Sequence, residues 1–341
     1  MACAAALALS APVALSACAK GDEGAQSDPS SSEGTDSQSF DVQSRTLFVF
    51  DTVVQLSAQC APETMDALAQ RCTYFENKFS RTVEGSDIWN INHAAGAPVE
   101  VCEETARVIR ASLEYSKASN GLFDITIGTV SSLWDFVEGV KPADEAIAAA
   151  LPHIGYEAIS VDGTTVTLSD PETMLDLGGI AKGFITDDLV RMLRDAGCEN
   201  ASLSLGGNVY VMGESYDGDA WNVGVQDPNG TANDVIASIP ARDASLVTSG
   251  LYERSFEENG VLYYHILDPK TGYPVQTDLA SASIKSDSST DGDAYSTILF
   301  LLGHDAALDL VNGDSRFDAL LVDDADAATE SNGSQFKILN T

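Results

Sequence analysis

Two short segments of this chain carry the groups needed to handle a phosphate and a metal ion together. In MLDLGGIAKG (174–183) a strand-like stretch enters a Gly-Gly turn that opens a helix. Bare backbone N–H groups and Lys182 are thereby offered to an anion. In DGDAYST (291–297), Asp293 and Thr297 stand four apart at an expected helix start, so both side chains face one point. Their oxygens are the ligands hard divalent cations prefer, and the two segments together suggest a metal-bridged diphosphate. Each piece also has a plainer reading. D-x-x-x-T suits a capping acid with a buried threonine, Lys182 a solvated helix-surface lysine, and Asp176 a helix cap. His265, in HILDPKTG (265–272), is one of four histidines and the best candidate to accept a hydroxyl proton near neutral pH. It suits equally a hydrogen bond to a ligand or to core backbone. His93, His153 and His304 have no motif around them. Phe123 and Asp124 in GLFDITIG (121–128) place a ring and a carboxylate on a turn. Ser249, Gly250 and Tyr252 in TSGLYER (248–254) form a loop for close approach to a ligand, and Gly206 and Gly207 make a tight backbone turn.

These residues need a scaffold. TLFVFDTVVQLSA (46–58) is strand-like, and Met65, Leu68, Cys72, Phe75 and Phe79 recur at helical spacing. A second helix over 103–119 turns Ala106, Ile109 and Leu113 to one side and stops at Asn120-Gly121. A short Ala-rich helix over 142–151 precedes a hairpin over 158–168 that turns at Asp162-Gly163. After the Gly-Gly turn, a helix over 180–196 carries Ile185, Leu189 and Met192 inward and ends at Gly197. Short β-rich runs follow at 201–205, 209–212, 221–225, 235–239, 246–248, 263–267 and 280–284, then a helix over 293–302 and a last hairpin of 319–322 with 336–339. Strands grouped apart from helices predict an α+β fold rather than a doubly wound parallel sheet.

Composition narrows the functional classes. The 341 residues hold 52 acidic and 18 basic side chains, a net charge of −34, which repels nucleic acid and leaves no basic stripe for a phosphate backbone. No nucleic-acid partner is expected. Residues 1–18 have an apolar core of small residues ending in LSAC, which resembles a lipoprotein box with Cys18 as the lipidated residue, although no Lys or Arg precedes the apolar run. Residues 19–44 are Ser-, Gly- and acid-rich and predict a flexible tether, leaving 45–341 as the catalytic body. Cys60, Cys72, Cys102 and Cys198 allow three full disulfide pairings or free thiols, and no Cys/His metal spacing occurs.

DLGGIAKG and HILDPKTG resemble signature segments of the ApbE family, the FAD:protein FMN transferases. FDT (50–52), FSRTVEGSDIWNIN (79–92), GLFDITIG, LGGN (205–208), TSGLYER and DAYST (293–297) follow in the order that family shows, so the resemblance spans about residues 48–303. It implies two lobes of mixed or antiparallel sheet with flanking helices around an FAD/Mg²⁺ cleft. It also implies Mg²⁺-dependent transfer of FMN from FAD to a Ser or Thr of an exported acceptor flavoprotein, with AMP released. The metal would be held by Asp293, Thr297 and the carbonyl of Gly179. FAD would contact Phe50, Leu122, Phe123, Asp124, Asp176, Lys182, Ser249, His265 and Ile266, with His265 and Asp293 catalytic. Two departures stand out: FDT where many relatives have MGT, and Arg81-Thr82 where many present a tyrosine. With the leader, the expected location is the extracytoplasmic face of a cell membrane, lipid-anchored. The same site giving its phosphorus to water would make an FAD pyrophosphatase, and without turnover it would be a flavin-binding lipoprotein.

Overall fold

A computed structural model describes residues 40–231 and 233–339. The leader, Cys18 and most of the tether lie outside the described residues. The chain's strands build one large sheet in sequence order: β1 (Val42–Val49), β2 (Thr52–Gln59), β3 (Ala201–Leu205), β4 (Asn208–Met212), β5 (Ala244–Gly250), β6 (Leu279–Ser286), β7 (Asp318–Asp323) and β8 (Ala328–Glu330). Each strand pairs antiparallel with the next. Three small antiparallel sheets sit around it. The fold is α+β, as the grouping of strands and helices predicts.

The first strand-like run is a hairpin rather than one strand. Phe50 and Asp51 both adopt positive φ (59° and 54°), the two-residue turn whose twist matches the flanking strands. β1 begins at Val42, inside the stretch expected to be tether.

One face of the large sheet carries helices α1 (Pro62–Phe79), α2 (Glu103–Ala118) and α3 (Ala181–Asp195), which bury a shared core with β2, β3 and β4. The buried stripe of α1 is Met65, Leu68, Cys72, Phe75 and Phe79, as the spacing predicts. Farther along the sheet, α4 (Ser289–Leu302) and α5 (His304–Asn312) cover Val247, Ala282, Ile284, Ala319 and Leu321. The alternate residues Leu246, Leu320 and Val322 point the other way, against a three-stranded sheet of Val235–Ala241, Trp221–Gln226 and Lys337–Ile338. This two-sided burial follows from the period of two along a strand.

Three further expectations are corrected. β7 pairs with β8, and Lys337–Ile338 pairs with Val235–Ala241, so the C-terminal hairpin of 319–322 with 336–339 does not form. α4 begins at Ser289, capped by Ser288, which places Asp293 in its second turn. Residues 174–177 are extended but belong to no ladder. The four cysteines at 60, 72, 102 and 198 are free thiols. Among the described residues no helix is long and apolar enough to cross a membrane.

Candidate functional site

The segment leading into the Gly-Gly turn is held by side chains instead of a neighbouring strand. Asn92 brackets Leu175, accepting from its N–H at 2.7 Å and donating to its C=O at 2.9 Å. Thr129 Oγ1 accepts from Met174 N at 2.9 Å, and Asp176 N donates to Ile125 O at 2.8 Å. The Asp176 carboxylate then ties the turn itself, accepting from Gly178 N at 2.9 Å and Ser131 Oγ at 2.8 Å, with Arg81 Nε 3.3 Å away. Asp176 therefore braces the Gly-Gly turn and does not cap the helix that follows, whose N-cap is Ile180 without a side-chain cap. Gly179 is small for a steric reason: a Cβ there would stand 3.1 Å from the Phe123 ring and 3.6 Å from Thr297 Oγ1. Phe123 is the buried floor under this turn.

Helices α3 and α4 touch backbone to backbone just beyond it. A Cβ on Gly183 would lie 2.2 Å from Ser289 O and 2.7 Å from Asp293 Cβ, so only glycine permits the crossing. Asp293, 3% exposed, accepts from Gly183 N through Oδ2 at 2.8 Å and turns Oδ1 toward Lys182 Nζ, 3.6 Å away. Lys182 Nζ also donates to Gly178 O at 3.3 Å. One helical turn on, Thr297 Oγ1 donates to Asp293 O at 3.3 Å and lies 3.5 Å from Ser249 Oγ, which is 2.9 Å from Ser296 Oγ. Asp293, Thr297, Ser249 and Gly179 therefore share one small space, with Lys182 at its edge.

This donor set fits Mg²⁺. It consists of a buried carboxylate with one oxygen free of hydrogen bonds, a hydroxyl, and a backbone turn held close by a glycine, all hard oxygen ligands. Among the described residues no group of three or more His, Cys, Asp or Glu side chains gathers for a metal.

A second wall comes from the loop after β5 and from the segment after Val261–Tyr264. Arg254 Nη2 donates to Asp51 O at 3.3 Å and stands 3.5 Å from Phe50 O, tying this wall to the β1–β2 turn. Phe50 N in turn donates to Glu76 Oε2 at 2.6 Å. His265 N donates to Arg254 O, and its Nε2 faces Glu253 Oε2 at 4.0 Å. Burial, then the charges of Lys182 and Arg254, push the His265 imidazole down to about 4, so it is neutral at pH 7. Desolvation raises the Glu253 carboxyl above its ordinary value; Lys182 and Arg254 oppose this and Asp293 adds to it. Among the described residues Arg81, Lys182 and Arg254 stand around this cleft, beside the carboxylates of Asp176, Asp293 and Glu253.

The expected contact residues are not all gathered. Asp124 is buried within the fold: Oδ1 accepts from Thr126 N and Oγ1, and Oδ2 from Tyr156 N, so its carboxylate is committed to a cap. The Ile266 side chain lies in the core with Val275, Leu279 and Phe300. Leu122 faces a neighbouring groove of about 760 Å³ with Tyr263, Lys270 and Leu301. Asp291, in the same motif as Asp293, turns away to accept from Tyr115 OH. Sequence reasoning left Glu253 and Arg254 unassigned, although both stand inside TSGLYER beside the residues it chose, and it gave Arg81 no partner.

Comparison with known proteins shows what the whole chain is similar to. A family model described as the ApbE family matches residues 50–321. The chain is 34% identical over 304 residues to an FAD:protein FMN transferase of Treponema pallidum, covering 82% of this chain and 84% of that one. It is 37% identical over 242 residues to one of Klebsiella pneumoniae, covering 70% and 75% respectively. The crystal structure of the ApbE protein of Thermotoga maritima superposes with a TM-score of 0.78 at 34% identity, covering 86% of this chain and 97% of that one.

Proposed function

The chain belongs to the ApbE family, and from that premise we infer that it is an enzyme, an FAD:protein FMN transferase whose substrates are FAD and an acceptor flavoprotein. In finer detail we propose Mg²⁺-dependent transfer of FMN to a Ser or Thr hydroxyl of an exported acceptor, with AMP released. The observations that carry this reading are Asp293 Oδ1 turned to the Lys182 ammonium at 3.6 Å and, one helical turn on, Thr297 Oγ1 beside Ser249 Oγ and the Gly179 backbone. On this reading the oxygens would take a cation and the turn a phosphate.

Asp293, Thr297 and the Gly179 carbonyl would hold the ion. When bound, the ion neutralises diphosphate oxygens and polarises the phosphorus. Lys182, resting on Gly178 O, is placed to meet a phosphate oxygen as a point charge. Asp176 fixes the Gly178 N–H and so the shape of the turn, and it keeps Arg81 at the rim, where the guanidinium can pair with a phosphate or stack on a ring of FAD. Phe123 supports the turn from below, and Phe50 is held half-buried at the mouth. His265, neutral and facing the cleft, contributes a hydrogen-bonding wall on the side where an acceptor hydroxyl must approach.

We further propose that Cys18 is lipidated and that residues 19–44 tether the catalytic body, residues 45–341, to the extracytoplasmic face of a membrane. This reading rests on the LSAC segment and the composition that follows it.

The test is intact-mass analysis of a Thr-bearing acceptor domain mixed with the soluble body, FAD and Mg²⁺. An acceptor heavier by one FMN, with matching AMP, is the expected result. Free FMN and AMP beside an unmodified acceptor would replace the transferase with a pyrophosphatase.

A further inference from the structure

We propose that Cys60 and Cys198 are a disulfide-forming pair, a covalent staple between the start of α1 and the end of α3, and that Cys72 and Cys102 stay as thiols. In the cell the pairing rests on the extracytoplasmic location proposed above, because disulfides persist in oxidising compartments.

Placement follows from the pairing of β2 with β3. Their ladder runs from Val54 opposite Leu205 to Ala58 opposite Ala201. One more bond, Gln59 N to Asn200 O at 3.0 Å, continues it past the end of the register, and Asn200 Nδ2 donates to Gln59 Oε1 at 2.8 Å. Cys60 is the next residue on one side, and Cys198 stands two before Asn200 on the other. Neighbouring chains in an antiparallel pair lie about 5 Å apart, within the Cα separation of about 4.4–6.8 Å that a disulfide spans.

Both side chains reach the same core. Alternation along the strand turns Cys60 to the side of Leu56 and Ala58, and all three are buried. Gly197, at φ +74°, ends α3 and turns the chain so that Cys198 N donates to Leu193 O at 3.0 Å. Cys198 then joins the cluster that holds Cys60, and the two thiols are close enough to act on one another's ionisation. The remaining thiols have other neighbours. Cys72 lies in the buried stripe of α1, and Cys102 Sγ is 3.1 Å from Thr105 Oγ1.

Burial, then Cys198, pushes the Cys60 thiol up to about 11, and burial raises the Cys198 thiol as well. The folded pair therefore holds almost no thiolate at pH 7, and thiolate is the form that attacks a disulfide. Cys60 is wholly buried and Cys198 9% exposed, so the bond forms while the chain folds and is shielded afterwards. The oxidant is a small disulfide or a disulfide-bearing oxidoreductase. Cys198 loses its proton and attacks one oxidant sulfur, whose S–S bond breaks and releases the first thiolate. Cys60 loses its proton in turn and attacks Cys198 Sγ, and the mixed bond breaks to release the second. Two protein thiols are oxidised, one disulfide is reduced to two thiols, and the two protons end on the released thiolates.

The test refolds the full chain in a buffer of oxidised and reduced glutathione, blocks the remaining thiols with iodoacetamide, and maps its peptides without reduction. One linked peptide joining Cys60 to Cys198 is expected, about 2 Da lighter than its two thiol halves together, with Cys72 and Cys102 alkylated. Alkylation at all four positions, or a link through Cys72 or Cys102, would overturn the proposal. Reductant should lower the melting temperature of the linked protein by about 5 °C or more and leave that of Cys198→Ala where it is. An equal response of the two proteins would contradict the staple, and the peptide map of the unaltered chain judges the pair even if the variant misfolds. Because the glutathione buffer stands in for the compartment, finding the chain inside the cytoplasm would sink the location and leave the map to decide the pairing.

Discussion

Helices α3 and α4 are joined by two aspartates, and the contrast between them separates scaffold from site. Asp187, on α3, accepts four hydrogen bonds from the start of α4: Ser289 N through Oδ1, and Thr290 N, Thr290 Oγ1 and Ser288 Oγ through Oδ2. Asp293, on α4, returns the gesture to α3 with a single bond from Gly183 N and leaves Oδ1 toward Lys182. Both carboxylates serve the same crossing, and one is saturated while the other is open. A saturated carboxylate stabilises the fold. An oxygen left open beside a lysine is, on the function proposed above, the one that would meet a ligand.

The difference predicts opposite responses to the same truncation. Asp293→Ala should reduce transfer by at least about a hundredfold while the melting temperature moves little, measured by acceptor mass gain and by calorimetry. If activity survives, Asp293 is a second Asp187 and the comparison collapses. Asp187→Ala should show the reverse, losing about 3 kcal/mol from stranded backbone and hydroxyl donors, or roughly 5 °C or more in melting temperature, while the residual folded enzyme keeps most of its turnover. Lys182→Gln sharpens the open side: KM for FAD should rise about tenfold, as expected for one lost charge-assisted hydrogen bond, with stability unchanged.

The smallest effect concerns pH. His265 has its pKa lowered from 6.5 to about 4. The unfolded chain therefore binds a proton between those values that the folded one refuses, and stability falls as pH drops through that window. His265→Gln should flatten this part of the stability-versus-pH curve in urea titrations, whereas an Asp187 variant should leave its shape alone.

Much of this was legible in the residues. The α1 stripe, the hairpin over 158–168 and the Gly-Gly turn followed from local spacing and turn chemistry, which the tertiary fold left undisturbed. Of the three residues expected to hold a metal, Thr297 lies against Gly179 and bonds the main-chain oxygen of Asp293. Other features depended on distant partners. The helix expected over 293–302 begins earlier, at Ser289, and Gly292 is a helical residue pressed on β5, where a Cβ would stand 2.9 Å from Val247. Residues 174–177 resembled a strand because Met174, Leu175 and Leu177 are apolar, but Asn92 and Thr129 satisfy their backbone in place of a ladder. Asp124 seemed available for a ligand until Thr126 and Tyr156 claimed its oxygens. Glu253 had a visible motif around it, but its meeting with His265 is a product of the fold alone.

The most direct test of the open carboxylate is anomalous diffraction from crystals soaked with Mn²⁺ and FAD. The account predicts one manganese peak bounded by Asp293, Thr297 and the Gly179 carbonyl, with FAD phosphates beside it. Bound FAD with no peak at Asp293, or a peak elsewhere in the cleft, would contradict it.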